Sequence, residues 1–264
     1  MQNKLIVSAL PLDIRWADKE ANFAALDSAL RQLPAGTDVL VLPELFSTGY
    51  INDPSLLYET AELNTGETID KIKERAAAFN TAIAGSFLAR TAHRCYNRGF
   101  FIEPSGEETF YDKHHLFSLS DEAKVMAHGI DRLPIVRFRG WNIALIICYD
   151  LRFPVWCRSH RASYDVMLVP ANWPKAREYA WKHLLIARAI ENQAAVVGAN
   201  RGGSDDYGEY DNLTYIFDSL GMPVGTAPEG SPFVTAVLDK EMLDRHRAKF
   251  PVADDCDDFS LVIN

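Results

Sequence analysis

The sequence predicts an α/β fold whose sheets are covered on both faces, and three observations lead to this prediction. Apolar runs typical of strands alternate with stretches of helical periodicity along the whole chain. The run at residues 143–148 is almost entirely apolar, as in strands that are buried on both faces. The chain has 264 residues, of which 48% are hydrophobic, and a chain of this length buries about 70–75% of its unfolded surface. Periodicity alone leaves a doubly wound sheet, a barrel and a sandwich open.

Four helices follow from local signals. Apolar residues recur at helical spacing within residues 17–33 and 176–192, and residues 240–249 have the pattern of a last helix. Thr68 is a candidate N-cap of a helix within residues 61–80, because its hydroxyl stands just before the apolar positions of that segment. A further helical stretch is predicted after Pro154, since proline suits a first helical turn.

The strands are predicted from short apolar runs bounded by turn residues. They fall at residues 5–12, 38–42, 81–89, 95–102, a short run ending at 111, 143–148, 165–170, 194–199, 215–218 and 232–238. A long polar loop is predicted for residues 112–131. No linker, internal repeat or low-complexity segment interrupts this pattern, so residues 1–264 are expected to form a single domain.

Charge and cysteine content exclude several classes of protein. The formal net charge is −9, with 36 acidic and 27 basic residues and no basic block, so neither nucleic acid nor an anionic membrane is an expected partner. No apolar run approaches the roughly 18 residues of a membrane span, and the N-terminus lacks the features of a secretory signal. The four cysteines form no CxxC pair, so we expect reduced thiols and a cytoplasmic protein without a disulfide scaffold or zinc finger.

Glu44 and Lys113 are the first two candidate reactive residues, because each directly follows an apolar strand. Glu44 ends the segment VLVLPELFSTGY, where partial burial raises the pKa of a carboxyl group and makes it a better base. Lys113 lies in FYDKHHLFSLSDE, and a fixed ammonium group stabilises a developing oxyanion. The alternatives are a loop acid bonded to backbone N–H groups and a solvated lysine. Glu122 shares the lysine's loop, and its alternative is a surface acid. His114 and His115 have no second ligand pair at metal spacing nearby, so no metal is expected.

Cys148 is the third candidate, in WNIALIICYDLRFPVW. It stands at the end of a strand before a sharp turn, where backbone N–H groups converge on a nucleophile. A cysteine filling the core is the alternative. An electropositive site is expected to lower the pKa of this thiol. Covalent acyl transfer requires a base, an electrostatic stabiliser and a nucleophile, and the three strand ends supply a candidate for each.

With these residues the sequence resembles the nitrilase, or carbon–nitrogen hydrolase, superfamily. The matching motifs are LPELFSTGY, YDKHHLF and ICYDLRFP, in the family's order of Glu, Lys and Cys, and the resemblance continues through VPANWPKAREYAWKHLLIARAIENQ and GANRGGSD. It therefore covers nearly the whole chain. The wording around the motifs is similar to the bacterial omega-amidase branch, whose members hydrolyse the terminal amide of 2-oxo acid amides such as 2-oxoglutaramate and 2-oxosuccinamate. The resemblance implies a four-layer α-β-β-α sandwich, no cofactor and a homodimer or higher homo-oligomer.

The resemblance also implies roles for individual residues. Glu44 matches the general base, Cys148 the nucleophile and Lys113 the group that stabilises the tetrahedral intermediate, together with the backbone N–H of Tyr149. Glu122 stands where many members carry a second active-site glutamate.

Three further residues are candidates for binding the substrate. Arg152 is a candidate for its distal carboxylate, with an ion pair to Asp150 as the alternative. Trp173 is a candidate pocket wall or core residue, and Arg177 is a second candidate carboxylate partner.

Two departures from the branch leave the substrate open. The chain has Gly202 and Gly203 where close relatives read Val-Gly, and Thr214 where serine is common; the segment is expected to form a pocket rim. The same Glu, Lys and Cys also serve deaminated-glutathione amidases, N-carbamoyl amino acid hydrolases and nitrilases, so these stay as alternatives. A non-catalytic binding protein that keeps the fold is a third class. An ATP-dependent synthetase is not expected, because the chain has no P-loop.

Overall fold

The computed structural model describes residues 3–211 and 213–262. Its strands are β1 (Lys4–Ala9), β2 (Val39–Val41), β3 (Ala82–Arg90), β4 (Cys95–Ile102), β5 (Glu108–Asp112), β6 (Ile135–Phe138), β7 (Trp141–Leu145), β8 (Val166–Ala171), β9 (Ala195–Asn200), β10 (Ser204–Asp205), β11 (Gly208–Glu209), β12 (Tyr215–Phe217) and β13 (Val234–Asp239). Its α-helices are α1 (Lys19–Leu30), α2 (Pro54–Thr60), α3 (Glu67–Phe79), α4 (Glu122–Val125), α5 (Glu178–Asn192) and α6 (Lys240–Lys249).

Two sheets form the centre of the molecule. The six-stranded sheet has the order β13-β1-β2-β3-β4-β5, and the five-stranded sheet has the order β12-β9-β8-β7-β6. In each sheet three parallel strands, β1-β2-β3 or β7-β8-β9, lie between antiparallel flanking strands. The carboxyl ends of the parallel strands therefore lie at one edge of each sheet, where α/β proteins tend to place their sites.

The molecule has four layers, and a hydrophobic cluster fills each of the three spaces between them. The first fills the space between the sheets with residues of both, such as Val41 and Leu168. The second packs α5 on the five-stranded sheet through Trp181 and Leu185. The third packs α1 and α3 on the six-stranded sheet, with Leu26 as one of its buried members. The four-layer α-β-β-α sandwich implied by the resemblance is confirmed, and the strands predicted to be apolar on both faces are the covered ones.

Two expectations about helix boundaries are wrong. Thr68 is not the N-cap of α3, because the helix begins at Glu67 with Gly66 at the N-cap position, and the Thr68 hydroxyl donates to Glu62 instead. The helix expected to begin at Pro154 is not formed, and the next α-helix of the described chain is α5. A 3₁₀ turn, Cys148–Arg152, precedes that proline, and irregular turns and a second short 3₁₀ segment follow it. The apolar strand also ends earlier than expected, since β7 stops at Leu145.

Short elements account for what the periodicity missed. The strand β6, the hairpin β10–β11 and the helices α2 and α4 are each seven residues or shorter. Segments of this length carry too few periodic positions to be separated from loops. The helix α4 lies inside the predicted loop at 112–131 and carries Glu122 at its first position. No helix within the described part of the chain has both the length and the apolar character needed to cross a membrane.

Candidate active site

The carboxyl ends of strands from both sheets meet at one cavity of about 400 Å³. The six-stranded sheet contributes the connections after β2 and β5, and the five-stranded sheet contributes those after β7, β8 and β9. The cavity is lined by Glu44, Leu45, Tyr50, Lys113, Phe117, Leu119, Ser120, Asp121, Glu122, Cys148, Tyr149, Arg152, Asn172, Trp173, Pro174, Arg177, Asp205, Tyr207 and Tyr210. The structure therefore brings every residue singled out in the sequence for catalysis or substrate binding to one place.

Glu44 is held in a fixed orientation at the floor of this cavity. Its side chain is 7% exposed. The next residue, Leu45, has a φ of 49°, and its N–H donates to Ser86 Oγ at 2.8 Å, which anchors the turn after β2 on β3. The two carboxylate oxygens have different partners. Oε1 accepts from Lys113 Nζ at 2.8 Å, and Oε2 accepts from the N–H of Asn172 at 2.9 Å.

Lys113 is buried between two carboxylates. It follows β5 directly, and its Nζ lies 2.8 Å from Glu44 Oε1 and 2.9 Å from both oxygens of Glu122. Burial lowers the pKa of the Lys113 ammonium, but the charges of Glu122 and Glu44 outweigh this effect and hold the pKa well above its usual value. The lysine is therefore a fixed cation at neutral pH, and the alternative of a solvated lysine is wrong.

Glu122 connects this ion cluster to the cavity wall. Its side chain is 3% exposed, and its Oε2 also accepts from the N–H of Phe117 at 2.6 Å. The ring of Phe117 packs edge-on against Tyr149, with the ring centroids 5.1 Å apart. One carboxylate thus fixes both the lysine and the loop that carries an aromatic side chain of the wall. A surface position for Glu122 is excluded by its burial.

Cys148 is buried at the strained turn that was expected at the end of this strand. Its φ of 45° falls in the left-handed region, which costs a non-glycine residue about 1–3 kcal/mol and is concentrated at functional sites. The fully buried carboxylate of Asp150 holds the turn from behind. It accepts from the N–H of Ile147, the hydroxyl of Tyr111 and both the N–H and the ring Nδ1 of His115.

The two histidines of the loop support this turn by stacking. His115 stacks on Phe153 with the ring centroids 3.6 Å apart, and His114 stacks on Trp156 at 4.0 Å. Within residues 3–211 and 213–262, no group of three or more His, Cys, Asp and Glu side chains is arranged to hold a metal ion.

The expected direction of the Cys148 pKa is wrong. Burial raises the pKa of this thiol well above its usual value, and the charge of Glu44 raises it further. Lys113 lowers it, as expected of a nearby cation, but its effect is smaller than those of burial and Glu44. The thiol is therefore protonated at neutral pH, and it needs a base beside it to become a nucleophile.

The residues expected to bind substrate form the walls. The guanidinium of Arg152 lies over the ring of Trp173, 4.8 Å from its centroid, and that of Arg177 lies over Phe117 at 5.2 Å. Neither arginine forms an ion pair with any described residue, so the ion pair of Arg152 with Asp150 is excluded. Trp173 is both a pocket wall and a core residue. It lines the cavity, and its ring packs against that of Trp181 with the ring centroids 5.1 Å apart.

Only part of the segment after Asn200, which was expected to form the pocket rim, lines the cavity. Asp205, Tyr207 and Tyr210 line the cavity. Asp205 accepts from Arg201 NH1 at 2.6 Å and from the Tyr210 hydroxyl at 2.8 Å, so its charge is already paired. Thr214 does not line the cavity: its hydroxyl contacts the backbone N and O of Asn200, both at 3.2 Å.

Two asparagines of the site were missed in the sequence. Asn172 contributes a backbone N–H, which no sequence pattern reveals. Asn97 lies in the middle of β4 and is fully buried. Its only signal is a polar residue at an inward-facing position of a strand, and buried strands often carry such a residue far from any site.

Comparisons with known proteins identify the family of this chain. The family model described as carbon–nitrogen hydrolase matches residues 6–248. The chain is 38% identical to omega-amidase YafV of Escherichia coli over 97% of this chain and 98% of that protein. It is 33% identical to 2-oxoglutaramate amidase of Bacillus subtilis, over 96% and 97%.

One solved structure resembles this chain in both sequence and fold. The protein XC1258 from Xanthomonas campestris, described as a CN-hydrolase superfamily protein with an arsenic adduct in its active site, superposes with a TM-score of 0.91. It is 37% identical, and the match covers 99% of this chain and 100% of that one. The chain belongs to the carbon–nitrogen hydrolase family and is an amidase of its omega-amidase-like branch.

Proposed function

We propose that this enzyme hydrolyses the terminal amide of a small 2-oxo acid amide, such as 2-oxoglutaramate or 2-oxosuccinamate, to the dicarboxylate and ammonia. The observation that carries the proposal is a protonated, buried Cys148 beside a fixed Glu44 and Lys113, in a cavity whose walls hold two guanidinium groups without a described acidic partner. The names of the E. coli and B. subtilis relatives support the same substrate class.

The first half of the reaction forms a thioester. Glu44 takes the proton of the Cys148 thiol while the sulfur attacks the amide carbonyl carbon. The electron pair of the carbonyl moves to oxygen, and the resulting oxyanion is held by the Lys113 ammonium and the backbone N–H of Tyr149. The carbon–nitrogen bond then breaks, Glu44 gives its proton to the nitrogen, and ammonia leaves.

The second half releases the acid. Glu44 takes a proton from a water molecule whose oxygen attacks the thioester carbon. The carbon–sulfur bond breaks, the sulfur recovers a proton from Glu44, and the dicarboxylate leaves. Two lower barriers replace one high barrier in this scheme. Glu122 is assigned to positioning Lys113 and the loop of Phe117, since its carboxylate contacts both.

The charges of the cavity favour a 2-oxo acid over a 2-amino acid. Arg152 and Arg177 have no acidic partner among the described residues, so both are available to a substrate carboxylate. The carboxylates at the cavity are already paired: Glu44 and Glu122 with Lys113, Asp121 with Lys124 and Asp205 with Arg201. Each of these carboxylates already contacts a lysine or an arginine, so a substrate ammonium group would compete with that cation, whereas a neutral oxo group needs no acidic partner.

Ammonia release from a panel of substrates tests this proposal. The panel holds 2-oxoglutaramate, 2-oxosuccinamate, glutamine, a neutral aliphatic amide, a nitrile, an N-carbamoyl amino acid and deaminated glutathione. We expect the highest kcat/KM for a 2-oxo acid amide and a value at least about 10-fold lower for glutamine, whose ammonium group would compete with the cations already paired with these carboxylates. A preference for the nitrile, the N-carbamoyl amino acid or deaminated glutathione would contradict the proposal and assign the corresponding activity of the family to this enzyme.

Replacing Glu44 with glutamine is expected to make the Cys148 thiol more acidic and, at the same time, to lower the turnover rate. The change removes a negative charge that disfavours the thiolate, so the pKa of Cys148 falls. It also removes the base, so kcat falls by roughly 10²- to 10⁴-fold. The ultraviolet absorbance of the thiolate against pH, with Cys148→Ala as the blank, measures the first effect. An unchanged or higher pKa would show that the carboxylate does not act on this thiol.

Replacing Arg152 or Arg177 with leucine is expected to weaken binding of the substrate carboxylate. Loss of a charged hydrogen bond of about 1.5–3 kcal/mol raises KM for 2-oxoglutaramate roughly 10- to 100-fold and leaves the neutral aliphatic amide unaffected. Arg137→Leu on the exposed face of β6 is the matched control. An equal rise in KM for the charged and the neutral amide would show that these arginines do not recognise the substrate carboxylate.

We further infer that residues 1–264 act as one domain, that the protein forms a homodimer or higher homo-oligomer, and that it works in the cytoplasm. The family match over residues 6–248 supports the first inference. The exposed apolar side chains of Ile190 on α5 and of Leu220 and Met222 in the turn next to it support the second, and four free cysteines support the third. Light scattering after size exclusion measures the oligomeric state.

A further inference from the structure

Asn97 is a neutral residue whose side chain contacts both carboxylates of the ion cluster. It lies on β4, has no exposed surface, and its Nδ2 donates to Glu44 Oε1 at 2.8 Å and to Glu122 Oε1 at 3.2 Å. Its backbone carbonyl oxygen also accepts from the backbone N–H of Lys113 at 2.9 Å. One residue therefore touches all three charged members of the cluster.

The orientation of this amide is fixed by its neighbours. Two carboxylate oxygens face one end of the side chain, and only the NH₂ group can donate to them. The other end, Oδ1, is buried without a hydrogen-bond partner among the residues the structure describes. An unsatisfied buried acceptor costs about 1–3 kcal/mol, which an apolar side chain of the same size avoids. The amide is therefore better explained by what its donors do than by a contribution to folding.

The donors offset a repulsion inside the cluster. Glu44 and Glu122 carry two negative charges against the single positive charge of Lys113, and all three side chains are at most 7% exposed. Lys113 and the Asn97 amide both contact Oε1 of each glutamate, so the two carboxylates are bridged by two donor groups instead of one. In a medium of low dielectric constant such charge-assisted hydrogen bonds are stronger than in water.

The bridge also makes the two oxygens of Glu44 unequal. Oε1 accepts from Lys113 and Asn97, whereas Oε2 accepts from the N–H of Asn172, and that same N–H also interacts with the Cys148 thiol. We propose that Asn97 is a positioning residue: by holding Oε1 together with Lys113, it leaves Oε2 as the oxygen that takes the Cys148 proton. The proposal rests on the role of Glu44 as general base given above. The titratable groups that face this base are Lys113, Glu122 and Cys148.

The test is Asn97→Leu, which removes the donors and the unpaired oxygen at nearly constant volume. We expect kcat for the best substrate of the panel to fall roughly 10- to 100-fold, with KM nearly unchanged. Because a hydrogen bond to an ionised carboxylate favours its charged form, loss of this donor is expected to move the acid limb of kcat/KM to higher pH. Asn192→Leu is the control, since Asn192 is a buried asparagine whose side chain bonds Ser159 and Arg188, outside the cluster.

A second measurement needs no substrate. The rate at which iodoacetamide alkylates Cys148, followed by intact mass from pH 5 to pH 9, depends on Glu44 as proton acceptor at the acid end. In Asn97→Leu this acid limb is expected to move in the same direction as the limb of kcat/KM, and in Asn192→Leu to stay in place. An enzyme that turned over none of the amides would refute the proposed function, and the alkylation profile would still decide the role of Asn97.

Two results would overturn the role of Asn97. One is an unshifted acid limb in both measurements with a folded variant. The other is a loss of kcat that Asn192→Leu reproduces, because that loss would follow from a general weakening of the fold. If Asn97→Leu does not fold, Asn97→Ser replaces it, since a short hydroxyl leaves the carboxylates without the bridging amide, and the same two outcomes apply.

Discussion

Cys148→Ala is expected to lower kcat for amide hydrolysis by about 10⁴-fold or more while leaving the fold intact. The substitution removes the atom that forms the thioester, and the residual rate comes only from binding and oxyanion stabilisation. The thiol is 8% exposed at a turn held from behind by Asp150, so alanine fits without disturbing that network. Ammonia release and thermal unfolding are the two measurements.

Cys95→Ala is the matched control for this experiment. Cys95 is also a free, buried thiol, but it lies at the start of β4 and packs in a separate apolar cluster with Leu57 and Met126. Its removal deletes the same atom from the core without touching the reaction, so turnover is expected to stay within about two-fold of the wild type and stability to fall by about 1 kcal/mol. Full turnover by Cys148→Ala would contradict covalent catalysis by this residue.

Lys113→Met is expected to damage both stability and turnover. The ammonium group is the only described cation that contacts Glu44 and Glu122, and its loss leaves two buried carboxylates facing each other. Breaking a buried ion pair by removing one partner costs about 3–5 kcal/mol of unfolding free energy. Loss of an oxyanion donor lowers kcat by a further factor of about 10²–10³. Urea unfolding and ammonia release measure the two effects separately.

The double variant Lys113→Met with Glu122→Gln separates charge balance from catalysis. Replacing one carboxylate by an amide returns the formal charge of the cluster to its original value of one negative, so most of the lost stability is expected to return. Turnover is expected to stay low, because no cation faces the oxyanion. Recovery of turnover would show that Lys113 acts only as a structural counter-ion. Failure to regain stability would show that repulsion between the carboxylates is not the cause of the loss.

The sequence was most informative where chemistry coincides with a strand end. Glu44, Lys113 and Cys148 each follow an apolar strand, so each was predictable as a reactive residue at a strand end. Their convergence from two sheets was predictable only through the resemblance. Glu122 was predictable only through the resemblance, because its helix α4 is four residues long and has no periodic signal. The four layers likewise came from the resemblance, since apolar runs show that a sheet is covered but not by what.

The features that the sequence did not predict depend on proximity in space. Asn97 is distant in sequence from Glu44, and its role appears only when β4 is placed beside β5. The pKa of Cys148 was predicted in the wrong direction because the nearby cation was weighed without the burial of the thiol and the charge of Glu44. The helix expected after Pro154 is replaced by irregular turns and a short 3₁₀ segment, and the 3₁₀ turn Cys148–Arg152 lies before that proline.

The acyl-enzyme itself provides the most direct test of the mechanism. Mixing the enzyme with 2-oxoglutaramate, quenching in acid within the first turnovers and measuring the intact mass detects a thioester if one forms. We predict a gain equal to the substrate minus ammonia, located by peptide mapping to Cys148 and absent from Cys148→Ala, with the adduct accumulating when water attack is the slow step. Rapid turnover with a stable adduct on another residue would contradict the assignment of Cys148 as the nucleophile.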